Sequence, residues 1–186
     1  MATPLDPSDE ELLAVALAAA RAAGALILGA SASRGAELKS SHHDLVTETD
    51  RACQAEIFAH IRAAFPAHAF LGEEDVPSGV AAAEAAIAER AAAPFLGCVD
   101  PIDGTTNCVA GLPLGCVSIA CARAGRVHAA VVYEPTRGEA FTALRGRGAA
   151  LNGARMRVSG AAALTSAVVG FGSLGNTVNP DQQISA

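Results

Sequence analysis

The chain has 186 residues, a formal net charge of −6, and 51% hydrophobic residues. It is long enough for one ordinary domain, or for one domain and the beginning of another. The acidic balance argues against a protein that binds nucleic acid through the phosphate backbone, because such proteins carry a surplus of Lys and Arg. One Tyr, six Phe and no Trp leave few rings for stacking on bases.

The cysteines and the N-terminal region indicate the cellular compartment in which the protein is expected. Five cysteines without a Cys-x-x-Cys pair argue against a disulfide framework and against a zinc site, so we expect small buried side chains in a reducing cytoplasm. Residues 1–10 are acidic and lack the regions of a signal peptide. The alanine-rich stretch 12–30 is interrupted by Arg21 and two glycines, which predicts a packed helix and no membrane association.

Two helices open the predicted structure. Ser8 and Glu11 have the spacing of a capping box at the start of a long first helix. Apolar residues at helical spacing predict a second helix that begins near residues 49–50 and ends at Phe65-Pro66. The polar residues 39–47 between them predict a connection with a short extended segment.

Strands dominate the rest of the predicted structure. Two short buried strands are predicted at 69–71 and 95–99, with an alanine-rich helix or mobile excursion at 80–93 between them. An apolar period of two then predicts an antiparallel meander, and a last apolar strand is predicted to begin at 168–171. The meander comprises strands at 115–122, 127–133 and 139–144, turns at 124–125 and 135–138, and a hairpin at Asn152-Gly153.

This order of elements predicts an α+β fold built in layers. Helices come first, antiparallel strands come next, and a new strand begins near the end of the chain. We therefore predict an N-terminal α+β domain over residues 1–160 and the start of a C-terminal α/β domain over residues 161–186.

The candidate chemistry is concentrated in the octapeptide Asp-Pro-Ile-Asp-Gly-Thr-Thr-Asn at residues 100–107. Asp100 ends a buried strand and Asp103 comes three residues later on a tight turn, so the two carboxylates can converge on one point. Two like charges held together are unfavourable unless a cation lies between them. Oxygen ligands without His or Cys favour Mg²⁺. Glu73 and Glu74, at the end of the other short strand, are candidate further ligands.

Other residues near this turn suggest an adjoining anion site. Residues 104–107 resemble the first turn of a short helix, whose free N–H groups suit a phosphate oxygen. Asp50, at a predicted helix start, is a candidate acceptor for a proton from Thr105 or from water bound to it. Adjacent histidines point in different directions, so His42-His43 are predicted to be exposed loop residues and not a metal pair.

A series of short motifs resembles the inositol monophosphatase family in order and spacing. The pairing of Gly-Glu-Glu at 72–74 with the octapeptide at 100–107 is the most specific part of the match. The remaining motifs lie at residues 39–41, 44–50, 65–66, 111–113, 117–119, 131–135, 141–142, 145–149, 151–153 and 158–159.

The resemblance implies a layered αβαβα sandwich, and a Mg²⁺-dependent phosphomonoesterase that hydrolyses inositol monophosphates, commonly as a homodimer. Thr105, assisted by Asp50, would orient and activate the attacking water. Lys39 and Glu74 would support the site electrostatically. The implied magnesium ligands are Glu73, Asp100, the Ile102 carbonyl and Asp103, and the implied phosphate contacts are Glu73, Asp103, Gly104 and Thr105.

The resemblance stops near the C-terminal end of the chain. The family continues with a Trp-Asp segment that completes a second metal site, whereas this chain has no Trp, so we expect a C-terminally truncated member. Asp181 is expected to be a solvated tail residue and not a ligand. Two alternatives stay open: a non-catalytic fragment or binding subunit with a partial metal site, and a phosphatase of a related sugar phosphate such as L-galactose 1-phosphate or histidinol phosphate.

Overall fold

The computed structural model describes residues 6–33, 42–76, 80–90 and 93–170. The chain separates into a compact unit, Met1–Met156, and a second unit, Arg157–Ala186; the predicted domain boundary at residue 160 stays a prediction. The described elements are α1 (Asp9–Ser33), α2 (His42–Ala64), β1 (Ala69–Gly72), α3 (Val80–Arg90), β2 (Phe95–Asp103), α4 (Thr105–Val109), β3 (Cys116–Arg123), β4 (Arg126–Glu134), β5 (Glu139–Leu144), β6 (Gly148–Leu151) and β7 (Ala154–Arg155), with 3₁₀ turns at Glu73–Asp75 and Leu164–Ser166.

The strands form one sheet whose spatial order matches the chain order from β1 to β7. β1 and β2 are parallel, and every later neighbour is antiparallel, so the predicted meander is confirmed. Ala124 and Gly125, with φ of 47° and 73°, connect β3 to β4, and Asn152 and Gly153, with φ of 48° and 83°, connect β6 to β7. Positive φ at both central residues matches the right-handed twist of the paired strands.

Helices α1 and α2 cover one face of the sheet and bury the core with it. Alternate strand residues point towards the helices, so Val99, Ile119 and Val131 are almost fully buried. Small residues let α1 lie close to the strands: a Cβ on Gly24 would lie 2.6 Å from Tyr133 Cε1. The helical part of the core consists of Leu12, Ala16, Ala19, Ala20, Ala23, Ile27, Cys53, Ile57, Phe58 and Ile61.

Helix α1 begins with the predicted capping box. Ser8 Oγ accepts a hydrogen bond from the Glu11 amide at 3.2 Å, and Glu11 Oε2 accepts one from the Ser8 amide at 2.7 Å. By length and composition the segment Asp9–Ala30 could cross a membrane. Leu12 and Ile27 of this helix are buried in the core with the strands and α2, whereas Leu26 and Leu28 are 41% and 44% exposed.

The prediction for the start of the second helix is wrong. Helix α2 begins at His42, so the described residues 42–47 are helical and His42-His43 do not lie in a loop. No Gly or Pro interrupts residues 42–64, which favours a helix. The helix ends at Ala64, directly before Phe65-Pro66, as predicted. Lys39 lies outside the described residues.

The strand predicted to begin at 168–171 is also not found in its described part. Residues 168–170 have no regular structure, and the side chains of Val168 and Val169 are 101% and 71% exposed. An apolar run becomes a strand only where a neighbouring backbone can pair with it. Phe171 and Asp181 lie outside the described residues.

Glu134 closes the turn between β4 and β5 with a buried carboxylate. Its two oxygens each accept a hydrogen bond of 2.8 Å, one from the Thr136 amide and one from the Arg137 amide. Burial alone would raise the pKa of Glu134, but these hydrogen bonds and the Arg137 charge outweigh it, and the pKa lies below its ordinary 4.5. The ionised form is therefore the one that stabilises the turn.

We predict that Glu134→Gln lowers the free energy of unfolding by about 1.5–3 kcal/mol near neutral pH, because an amide cannot accept both hydrogen bonds. The native pKa is lowered, so this contribution is present above the unfolded pKa and is lost as the pH falls through the native pKa. Urea unfolding at about pH 7 and about pH 4 measures this contribution of Glu134 to the free energy of unfolding. Glu139→Gln, at a more exposed carboxylate near the same turn, serves as control; equal losses in both variants would contradict the prediction.

Candidate metal and phosphate site

The candidate site lies where β1 and β2 end. The two strands are parallel, and Gly72 of β1 pairs with Val99 of β2. The next residues, Glu73 and Asp100, therefore lie at the same level; Glu73 begins the 3₁₀ turn after β1, whereas Asp100 still pairs with Ser118 of β3. Carboxyl ends of parallel strands are the usual place for a ligand site in such sheets.

Asp100 is the most strongly perturbed carboxyl of this group. Burial raises its pKa well above the ordinary range, and a hydrogen bond with Glu73 and the charges of Glu73 and Asp103 raise it further. Asp100 Oδ1 is buried and has no hydrogen-bond partner within the described chain. Two carboxyls can share a hydrogen bond only if a proton lies between them, so this pair lacks a compensating positive charge.

Asp50 brings a third carboxyl to this region from α2. Its side chain is buried, at 4% exposure. Burial raises the pKa of Asp50 to about 7, and the charges of Glu74 and Glu73 contribute to the rise. The charges of Glu74 and Glu73 therefore act on Asp50, so these three carboxyl groups lie near one another.

The residues after Asp100 change direction through an irregular end of β2. The register with β3 shifts between Asp100 and Asp103, and Asp103 pairs with Cys116. The Cys116 thiol donates a long hydrogen bond of 3.8 Å to Asp103 Oδ2. The predicted short helix is confirmed as α4, and Thr105 Oγ1 donates a hydrogen bond of 2.9 Å to the Ile102 carbonyl.

The structure thus brings part of the predicted set together. Besides burial, the neighbouring Glu73 and Asp103 raise the pKa of Asp100, so both carboxyls lie near it. Across the four described ranges, no three or more His, Cys, Asp or Glu side chains are grouped so that they could hold a metal ion. The predicted convergence of Asp100 and Asp103 on one cation stays a prediction.

A cavity of about 810 Å³ opens beside these carboxyls. Glu73, Glu74 and Asp100 supply its negative charge, and the rest of its wall is small or apolar. A cavity of this size can hold a small-molecule substrate. The remaining lining residues are Leu71, Gly72, Val76, Val80, Ala83, Cys98, Val99, Ser118 and Ala120.

Comparison with known proteins identifies the family. Residues 8–184 match the model of the inositol monophosphatase family. The chain belongs to this family. It is 45% identical over 166 residues to Nus factor SuhB of Pseudomonas aeruginosa, covering 88% of this chain and 58% of that protein. It is also 45% identical over 166 residues to inositol monophosphatase 2 of Solanum lycopersicum, covering 86% of this chain and 58% of that protein.

Solved structures support the fold of this family member. The crystal structure of the extragenic suppressor protein suhB from Bartonella henselae superposes with a TM-score of 0.65 at 33% identity. That alignment covers 81% of this chain and 55% of the other chain. Inositol monophosphatase from Anabaena gives a TM-score of 0.62 at 31% identity. The predicted α+β layered fold is confirmed, and the chain spans 48–58% of the length of these relatives.

The donor set fits a hard divalent cation. The carboxyls of Glu73 and Asp100 supply oxygen ligands only, which suit a cation such as Mg²⁺. The buried, unpartnered Asp100 Oδ1 is an atom that a cation could satisfy, and a cation would replace the proton that the carboxyl pair now needs. The fit rests on these two side chains.

Gln54 is a residue near the site that the sequence analysis did not select. It lies one helical turn after Asp50 on α2, and its side chain is buried against the turn Glu73–Asp75. The available signal was this spacing of four, which places both polar side chains on one face of the helix. From the sequence alone, a polar residue on that face is expected to be exposed to solvent. Only the position of the turn Glu73–Asp75 shows that Gln54 is buried.

We predict that Gly104→Ala destabilises the fold more than Gly111→Ala does. Both glycines have positive φ, 90° and 74°, so each alanine should cost about 1–2 kcal/mol. A Cβ on Gly104 would also lie 2.6 Å from the Leu114 carbonyl oxygen, whereas nothing lies within 4 Å of one on Gly111. The clash should add about 1–3 kcal/mol in urea unfolding. Equal losses would show that the backbone around Gly104 yields without cost.

Proposed function

We propose that this chain carries the magnesium- and phosphate-binding part of a phosphomonoesterase that hydrolyses inositol monophosphates to inositol and phosphate. The observation that carries the proposal is the Glu73–Asp100 carboxyl pair with its buried, unpartnered oxygen. Family membership supports the reaction class, and the family is generally metal-dependent.

The proposed magnesium ligands are Glu73, Asp100, the Ile102 carbonyl and Asp103. Bound Mg²⁺ supplies positive charge that activates water and stabilises negative charge on the phosphate in the transition state. Glu73 and Asp103, with Gly104 and Thr105 of the adjoining turn, are proposed to contact the substrate phosphate. Glu74 is proposed to add negative charge beside the cation. Lys39, which is not among the described residues, is proposed to offset part of the negative electrostatic potential of the site.

Thr105 and Asp50 are proposed to position the attacking water. The Thr105 hydroxyl donates its hydrogen to the Ile102 carbonyl, so its oxygen can accept a hydrogen bond from water. Asp50 is buried and its pKa is raised, which suits a group that accepts a proton. Water oxygen then bonds to phosphorus in line with the ester oxygen, the phosphorus–ester bond breaks, and the ester oxygen takes a proton and leaves as the inositol hydroxyl.

The proposed substrate rests on the relatives. Inositol monophosphatase 2 of Solanum lycopersicum is 45% identical to the matched part of this chain, which favours an inositol monophosphate. A related sugar phosphate, such as L-galactose 1-phosphate or histidinol phosphate, is the nearest alternative. A cytoplasmic homodimer that binds neither nucleic acid nor membrane completes the proposal, and gel filtration tests the dimer.

A second candidate function is a non-catalytic binding subunit with a partial metal site. The observation that favours it is the name of the Pseudomonas aeruginosa relative, Nus factor SuhB, which designates a factor and not a hydrolase. The chain spans 58% of that relative's length. Phosphate release from this chain decides between the two candidates.

We predict that the purified chain releases phosphate from inositol 1-phosphate in the presence of Mg²⁺, and that Asp100→Asn lowers the rate at least about 100-fold, because several kcal/mol of charge stabilisation are lost. A colorimetric phosphate assay measures both rates. Asp6→Asn, which makes the same chemical change at an exposed position, should keep the wild-type rate. Magnesium uptake without release from any variant would favour the binding subunit.

We predict that Thr105→Ala lowers kcat by about 100-fold or more, because the group that positions water is lost. Thr106→Ala, which removes the adjacent hydroxyl of α4, should change kcat less than about threefold by the same assay. Similar losses in both variants would show that α4 is generally sensitive and that Thr105 has no separate role.

A further inference from the structure

Gln54 bridges helix α2 and the turn Glu73–Asp75 through both atoms of its amide. Its Oε1 accepts a hydrogen bond of 3.3 Å from the Glu74 backbone N–H, and its Nε2 donates one of 3.1 Å to Asp75 Oδ2. The side chain is 7% exposed. A buried amide whose donor and acceptor both bind the same three-residue turn fixes that turn in position and in orientation.

The turn itself provides little that fixes its position. None of its three residues is buried, and its N-cap, Gly72, provides no side-chain hydrogen bond. One backbone hydrogen bond of 3.1 Å, from the Val76 amide to the Glu73 carbonyl, closes it. The position of Glu73 therefore depends on contacts from outside the turn, and Gln54 supplies such a contact.

Gly72 makes room for the amide. A Cβ on Gly72 would lie 2.0 Å from Gln54 Oε1 and 2.3 Å from Gln54 Cδ. Position 72, the glycine of the Gly-Glu-Glu motif, therefore requires a residue without a Cβ for steric reasons. This requirement is independent of its φ of −99°. The Gln54 amide therefore packs closely against the end of β1. Such packing is expected of a structural contact and not of a surface side chain that reaches the turn by chance.

We propose that Gln54 is a positioning residue for the divalent cation: it holds the turn so that the Glu73 carboxyl meets Asp100. The inference rests on the proposed function, because it assigns a role towards the same site. A neutral amide suits the task. A Glu at position 54 would offer no donor to Asp75 and would add a negative charge one helical turn from the buried Asp50.

The test compares Gln54→Met with Glu56→Gln in the full chain. Met keeps the length, the helix propensity and the buried position but forms neither hydrogen bond, whereas Glu56 is an exposed residue of the same helix. We expect Gln54→Met to raise the calorimetric Kd for Mg²⁺ roughly 10–100-fold, as replacing a group that orients a ligand typically does. Glu56→Gln should leave the Kd within about twofold of wild type.

A readout that needs no metal tests the geometry itself. In the metal-free chain, Gln54→Met should speed hydrogen exchange at the Glu74 amide, measured by NMR, while the Arg145 amide, which donates to the His128 carbonyl of β4, serves as an internal reference outside the turn. A change in global stability alone would move both amides together. An unchanged Glu74 rate, or an unchanged Kd in a folded Gln54→Met chain, overturns the role of Gln54 and leaves the proposed function standing.

If Gln54→Met does not fold, the exposed end of the bridge serves instead. Asp75→Asn and Asp75→Ala remove the same charge, but only Asn keeps an oxygen that can accept from Gln54 Nε2. Weaker Mg²⁺ binding by Asp75→Ala than by Asp75→Asn supports the bridge, and equal binding overturns it. Absence of Mg²⁺ uptake by the wild-type chain would overturn both the proposed function and this inference.

Discussion

The crowding of carboxyl groups at the ends of β1 and β2 is the constraint on which the candidate site depends. Burial and the neighbouring Glu73 and Asp103 raise the pKa of Asp100, and the charges of Glu74 and Glu73 act on the buried Asp50. Such a group is stable only if protons or a cation offset its charge. Burial is the first cause of the raised pKa of Asp100, the neighbouring carboxyls add to it, and Asp100 Oδ1 has no hydrogen-bond partner within the described residues.

Close packing makes this crowding possible. Small residues on α1 and a glycine opposite Tyr133 let the helices lie tightly on the sheet. Helix α2 then places Asp50 and Gln54 against the strand end, where Gly72 leaves space for the amide. The same close approach that buries the core therefore fixes the polar groups, so a change in the helix–sheet distance would alter stability and site geometry together.

The relatives place these elements in a longer framework. The chain covers 55–58% of the lengths of the three relatives from Pseudomonas aeruginosa, Solanum lycopersicum and Bartonella henselae. All the candidate ligands fall within the matched residues 8–184. Cation binding by the carboxyl pair can therefore be measured in this chain without the additional residues of the longer relatives, and turnover can be measured independently of it.

The sequence by itself determined the family, the capping box of α1, the meander and its turns, and the candidate carboxyls, because spacing, glycine positions and turn residues are local signals. It did not determine the start of α2, since the polar residues 42–47 can form either a helix or a connection, nor the absence of a strand at 168–170, which needs a neighbour to pair with. Tertiary structure alone decided that Glu73 lies near Asp100, and that Gln54 holds the turn that carries Glu73. These contacts join residues far apart in the chain, and their distances are set by the packing of α2 on the sheet.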